Sequence, residues 1–374
     1  ADDELDGALG LIKREGEVRV PTVAGLLLLG REAALRVHLP THEVAFQRLD
    51  GTQVKVNDFY RTPLLKTFER VMAQIHLEEN EVQVGLFRVP IPNFDRRAFR
   101  EAFVNAIAHR DYTRLGAVHV RQELDGLSIS NPGGFVEGVS LENLLVVEPK
   151  PRNPLLTDAI KRIGLAERTG RGVDLIFEGL LRYGRPAPDY ARSDGTTVVV
   201  RLSSAQADVP FLQMVLGEEE RRGAKLSLDA LIVLARLRNE RRLDVSALSH
   251  AVQKGEASTR EVLERLVEAG LVEAHGVKKG RTYTLSAAVY RKLGQSADYV
   301  RQAGFDPIQQ EQMVLRFVRT EGRITRREAG ELCRISPDQA KRLLKQLVQR
   351  EFLIQQGKGK GTYYELNPNI RARP

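Results

Sequence analysis

The sequence predicts an α+β chain of several domains, with helices on a mixed sheet in the first half and two copies of a helix-rich pattern in the second. Three observations carry this. The 374 residues are enough for two or three domains. Helical and strand periodicities follow one another in mixed order as far as about residue 205, as expected of helices layered on a sheet. Beyond about Gln206, a run of three helices, a strand, a basic glycine-containing turn and an aromatic strand occurs twice.

Composition sets the outer bounds. With 42% hydrophobic and 28% charged residues, the chain reads as a soluble globular protein. Its one cysteine, Cys333, excludes an internal disulfide and fits a reducing cytoplasm. The longest apolar run, Val23–Leu29, is far short of the roughly 20 residues that span a bilayer, so no membrane partner is expected. The net charge of +8 is uneven: residues 211–374 carry +10 and residues 1–210 carry −2. That asymmetry points to an anionic polymer as partner of the second half, the plainer alternative being a solubilising Lys/Arg surface.

The elements follow in order. Residues 1–60 alternate short helical and extended patterns, with two strands about a DG turn in Glu43–Val56. Thr62–Glu79 is helical, with Leu65, Phe68, Val71, Met72 and Ile75 on one face. Val82–Pro90 reads as one strand ended by proline, and a helix runs from about Phe94 to Ala108. In Gly116–Ser130, Val118 and Val120 alternate on one strand and Leu127 and Ile129 on the next, making a hairpin that leads into the loop Asn131–Phe135. A loop and helix cover Glu148–Glu167, Arg168–Gly184 is a glycine-containing turn entering a helix, and Thr196–Ser203 is a strand.

The stretch "REAFVNAIAHRDY" (Arg100–Tyr112) sets Glu101, Asn105 and His109 at i, i+4 and i+8. At 100° per residue they lie within about 80° of one another, opposite Phe99, Phe103 and Ile107. A carboxylate and an amide one turn apart suit a metal–phosphate site. Asn offers Mg²⁺ a neutral oxygen, and Glu orients or deprotonates water. The same stripe also fits a solvated helix face, and His109 takes no specific role. In "TGRGVD" (Thr169–Asp174), Gly170 and Gly172 flank Arg171 before a helix. Such glycines let backbone N–H groups turn toward a phosphate, although many GxG runs are plain turns.

In order and spacing, these pieces resemble the GHKL-type ATP-binding fold of histidine kinases, DNA gyrase B subunits and Hsp90 chaperones. "REAFVNAIAHRDY", "SNPGG", "RNPLL" and "ERTGRGV" are more closely similar to its RecG-related subgroup, regulators often joined to helix-turn-helix domains. The resemblance covers about residues 1–205. It implies a segment 1–60 of the kind that follows a Schlafen-like AlbA domain, then a nucleotide-binding α/β sandwich at 61–205. It implies ATP or another nucleotide with Mg²⁺ as cofactors, Asn105 as the Mg²⁺ ligand, and Glu101 as the residue that activates water in hydrolysing members. Gly170, Arg171 and Gly172 would lie at the phosphates, with Gly133 and Gly134 near the first glycine box. Asn131 stands where the family has an adenine-binding Asp; its carbonyl oxygen can accept from the amino group but brings no charge, which leaves adenine specificity open. No GxxxxGK[ST] occurs, so no helicase motor is implied, and no Cys/His cluster suggests zinc.

The repeat in the second half reads as two winged helices, residues 222–290 and 306–368. Ser258 with Glu261 spells a capping box for the third helix of the first copy, and Ser336–Pro337 an N-cap and N1 proline for the second. The second copy exposes Gln339, Lys341, Arg342, Lys345 and Gln349, with Lys358 and Lys360 in its wing. Such residues neutralise phosphates and read base edges. The first copy offers Arg260 beside Glu261, Glu264 and Glu268, and a wing with Lys278, Lys279 and Arg281. The second copy is therefore expected to read double-stranded DNA; winged helices also serve as protein-interaction modules. The whole reads as a homodimeric transcription regulator whose nucleotide state biases its DNA-binding half. An ATP-hydrolysing enzyme of DNA repair or defence is one alternative; a regulator with a degenerate pocket is another.

Overall fold

The computed structural model describes residues 6–84, 87–276, 280–294, 307–333, 335–357 and 362–368. The chain divides into two units, residues 1–285 and 286–374.

The first unit opens with a hairpin of β1 (Ile12–Glu15) and β2 (Val18–Pro21), then helices α1 (Val23–Leu29) and α2 (Glu32–His38). Strands β3 (Val44–Asp50) and β4 (Gln53–Tyr60) pair antiparallel around the expected DG turn. After α3 (Leu64–Gln74), the chain forms β5 (Glu79–Val84) and β6 (Phe87–Pro92), then α4 (Arg96–His109), β7 (Val118–Glu123) and β8 (Gly126–Pro132). Helices α5 (Pro154–Arg162) and α6 (Gly172–Leu181) precede β9 (Thr197–Ser203). The five-stranded sheet has the order β4-β3-β7-β8-β9; only the β3–β7 pair is parallel, so the sheet is mixed. One core joins the sheet and its helices, with the Phe103 ring stacked between Phe68 and Phe99 at centroid distances of 5.6 and 6.0 Å.

Two local expectations change. The strand expected over Val82–Pro90 is instead a hairpin of β5 and β6. The helix expected over Thr62–Glu79 stops at Gln74. The Gln122 side chain, from β7, accepts from the His76 N–H at 3.0 Å and donates to the His76 carbonyl at 2.8 Å. Asn93 accepts from the Glu78 N–H, so tertiary hydrogen bonds take the backbone groups a longer helix would use.

A helix the periodicity did not suggest, α7 (Val209–Arg222), follows Asp208, whose side chain accepts from the Phe211 N–H. The first copy of the repeat comprises α8 (Leu228–Glu240), β10 (Leu243–Asp244), α9 (Val245–Val252), α10 (Glu256–Glu268), β11 (Val272–His275) and β12 (Thr282–Leu285). Its sheet order is β10-β12-β11. Helix α10 starts two residues before Ser258, at Glu256 with Gly255 as N-cap, so the Ser258–Glu261 box does not form.

The second unit contains α11 (Ala287–Lys292), α12 (Pro307–Glu321), β13 (Arg323–Thr325), α13 (Arg326–Cys333), α14 (Pro337–Gln349), β14 (Leu353–Gln356) and β15 (Tyr363–Leu366). Its sheet order, β13-β15-β14, repeats that of the first copy. It has its own core, in which Ala340, Leu343, Leu344 and Leu347 of α14 pack with Val314, Val318 and Ile324. Ser336 and Gln339 form a reciprocal capping box at the start of α14. Among the described residues, no helix is long and apolar enough to cross a membrane.

Candidate functional site

A cavity of about 250 Å³ lies between α4, α5, the start of α6 and the ends of β8 and β9. Helix α4 lays its polar stripe against it. The Asp95 side chain caps that helix by accepting from the Arg97 and Ala98 N–H groups, and Phe99 and Phe103 pin its other face in the core. Glu101, Asn105 and His109 all line the cavity, so the stripe is a pocket wall, not a solvated face. Asn131, at the end of β8, lines it as well, as do Gly134, Gly170 and Gly172. Close approach requires glycine at position 134 and favours it at position 172. A Cβ at Gly134 would meet the Gly195 backbone at 2.6 Å, and one at Gly172 would meet Glu101 Oε2 at 3.1 Å.

The electrostatics of the stripe run in opposite directions. Glu101 is only 1% exposed, and burial pushes its pKa above the usual carboxylate value. Its stabilising partners, the Glu167 N–H at 3.5 Å and Arg100 Nη2 at 3.4 Å, are distant. The result is a carboxyl with raised proton affinity, as a general base requires. Burial, and then the nearby Arg152 and Lys161 charges, hold the His109 pKa down to about 4, so its imidazole is neutral at neutral pH. Among the described residues no hydrogen bond engages the Asn105 or His109 side chain. The Asn105 carboxamide therefore keeps its full bonding capacity toward the cavity. Asn131 is buried, and its Nδ2 donates to the Pro132 carbonyl at 3.2 Å, leaving its side-chain oxygen as acceptor.

Two other expected residues, Arg171 and Gly133, lie elsewhere. Arg171 turns away from this cavity to Asp174 at 3.3 Å and Glu178 at 3.1 Å, lining a separate one. Gly133 packs on Asp111 behind the wall. Arg152 donates to the carbonyls of His109 and Gly134, and Asn153 to those of Ala108 and Arg110, so both fasten the loop to α4. Lys150, Lys161, Tyr190 and the loop residues Val139, Leu144 and Leu145 line the cavity without having been singled out from sequence. Lys150 and the loop residues reach it because the loop folds back over α4, for which no local pattern exists.

In the second unit, Lys341, Arg342 and Lys345 are exposed along α14, and no ion pair among the described residues engages them. Gln339 is exposed too, but its side-chain oxygen accepts from the Ser336 N–H at 2.9 Å, so it serves the cap. In the first copy, Arg260 is paired with Glu256 at 2.6 Å, and Arg281 lies over the Tyr283 ring at 5.7 Å. Lys278, Lys279, Lys358 and Lys360 lie outside the described residues. Among the described residues no group of three or more His, Cys, Asp and Glu could hold a metal ion.

Comparisons with known proteins bear on both halves. Residues 116–202 match the family HATPase_c_4, described as "Putative ATP-dependent DNA helicase recG C-terminal". The RecG-related resemblance thus holds over that span. Residues 185–374 match a second family, "DNA glycosylase AlkZ-like", which the sequence reading did not reach. Among solved structures, the chain is similar to the crystal structure of the DIP2311 protein from Corynebacterium diphtheriae, with a TM-score of 0.63 and 23% identity over 98% of this chain. At that identity the likeness concerns the fold, and the chain spans 64% of the length of the other. No curated protein matches.

Proposed function

The chain belongs to the DNA glycosylase AlkZ-like family, and from that membership we propose that it is a DNA repair enzyme whose first unit holds a nucleotide. The observation that carries this reading is the family match across residues 185–374, just over half of the chain. It corrects the expectation of a transcription regulator, because the family is defined by an enzyme that acts on DNA.

The partner is double-stranded DNA, and each three-helix-and-sheet unit is a winged helix. In support, α14 sets Lys341, Arg342 and Lys345 on one exposed face where, among the described residues, no ion pair engages them, as contact with phosphates needs. Helix α10 is the poorer reader, since Arg260 is paired and Glu261, Glu264 and Glu268 are exposed.

The pocket is a GHKL-like nucleotide site for ATP or a related nucleotide with Mg²⁺. Its residues fit that group: a carboxamide with no hydrogen-bond partner among the described residues, a buried carboxyl with raised proton affinity, and glycine backbone opposite both. Asn105 would hold Mg²⁺, which supplies charge neutralisation to the phosphates. The N–H groups at the start of α6 would face those phosphates, and Asn131 would accept from the base. Glu101 would take the proton of the attacking water, with its weakly held carboxylate opposite Gly172.

The test is one preparation of the full chain assayed twice. Release of bases is measured on a panel of damaged-base duplexes, and phosphate release from ATP–Mg²⁺ is measured with and without DNA. No base release and no phosphate release under any condition would sink the enzyme reading.

A further inference from the structure

The loop that closes the pocket is tied down by a residue of the first repeat copy. Residues 138–151 form this lid, and Val139, Leu144, Leu145 and Val147 line the cavity from it. Asn143 knits it internally, accepting from the Ser140 N–H at 2.8 Å and donating to the Gly138 carbonyl at 2.9 Å. Its outer hold is Gln253, more than 100 residues later in the chain. The Gln253 Nε2 donates to the Leu141 carbonyl at 2.7 Å, and its Oε1 accepts from the Leu145 N–H at 2.8 Å. One carboxamide thus satisfies both a donor and an acceptor of the lid backbone.

Gln253 is placed for this by an unfavourable backbone. It ends α9 at φ +58, a left-handed conformation that costs a non-glycine residue on the order of 1 kcal/mol. The same three-helix body grips the pocket's other wall. Helix α8 packs on α6, which begins at the pocket with Gly172, and Arg238 of α8 donates to the Gly184 carbonyl just beyond α6 at 2.7 Å. Lys254, next to Gln253, pairs with Asp229 of α8 at 2.6 Å. Any occupant of the cavity touches the lid, because Val139, Leu144, Leu145 and Val147 form part of its wall.

We propose that Gln253 is a positioning residue that straps the lid of the pocket to the turn between α9 and α10, so that nucleotide entry and the placement of the first three-helix body are linked. The linkage rests on the nucleotide reading above. Because it is reciprocal, nucleotide must alter the α9–α10 turn by the same free energy with which the turn alters nucleotide affinity.

Gln253→Gly removes both hydrogen bonds and relaxes the left-handed backbone, so the fold is not at risk. Hydrogen exchange on the full chain, with and without ATP–Mg²⁺, reads the effect. In the variant without nucleotide, the Leu145 amide should exchange roughly tenfold faster or more. In the wild type, nucleotide should change exchange across residues 245–254, and that change should vanish in the variant. An unchanged lid in the variant overturns the strap, as does a wild type that binds nucleotide with no response in residues 245–254. A wild type that binds no nucleotide, while Gln253→Gly still frees the lid, overturns the nucleotide reading and supports the strap.

Discussion

Glu101 and His109 share one face of α4, and burial moves their pKa values in opposite directions, each toward its neutral form: the acid is pushed toward holding its proton and the base toward losing it. Glu101→Gln keeps the shape and removes the base. Phosphate release should fall about 100-fold or more while nucleotide affinity, read by calorimetry, stays within a few-fold. Unchanged turnover would remove Glu101 from the chemistry. His109 makes a prediction about stability. The unfolded chain takes up this proton near pH 6.5 and the folded chain only near pH 4, so acidification favours the unfolded state across that window. Stability should fall by about 2 kcal/mol from pH 7 to pH 5 on this account, and His109→Gln should flatten that part of the slope in denaturant titrations. An equal slope in both proteins would show that His109 does not titrate as its burial requires. The identity of these residues was legible because i, i+4 spacing is local. That Arg171 faces Asp174 and Glu178 instead of the pocket was not, because its direction is set by charges a turn further along α6.

At the scale of elements, the two third helices of the repeat differ in charge, not in architecture. Among the described residues no ion pair engages Lys341, Arg342 or Lys345 of α14, whereas α10 pairs Arg260 internally and adds exposed carboxylates. Lys341→Glu with Arg342→Glu should weaken duplex binding by at least about tenfold and reduce the salt dependence by about 1 per lost phosphate contact. Arg260→Glu should stay within a few-fold. Equal losses in a fluorescence titration would mean that the two helices share the work. Strong local signals produced the elements that formed as expected: the β7–β8 alternation about DG, and the Ser336–Pro337 start of α14. Of the elements that differed, the end of α3 was decided from a distance and the start of α10 locally. Gln122 ends α3 by taking the His76 backbone, and Gly255 starts α10 before Ser258 can cap it.

The whole molecule has two units, each with its own core. Cores that are separate in this way unfold with their own enthalpies, so calorimetry of the intact chain should resolve more than one transition. A single two-state transition, with equal calorimetric and van't Hoff enthalpies, would count against that division. The sequence by itself determined the α+β character, the polar stripe of α4, the repeat and the excess positive charge of the second half, because periodicity, capping and charge are carried by neighbouring residues. The tertiary structure alone decided that the stripe walls a pocket, that Lys150 and Lys161 join it, and that the first repeat copy lies in one unit with the pocket while the second has its own. It also decided that Gln253 holds the lid. These depend on contacts between segments tens to more than a hundred residues apart, and such contacts are selected by packing and by the need to satisfy buried backbone groups, which leave no spacing in the chain to read.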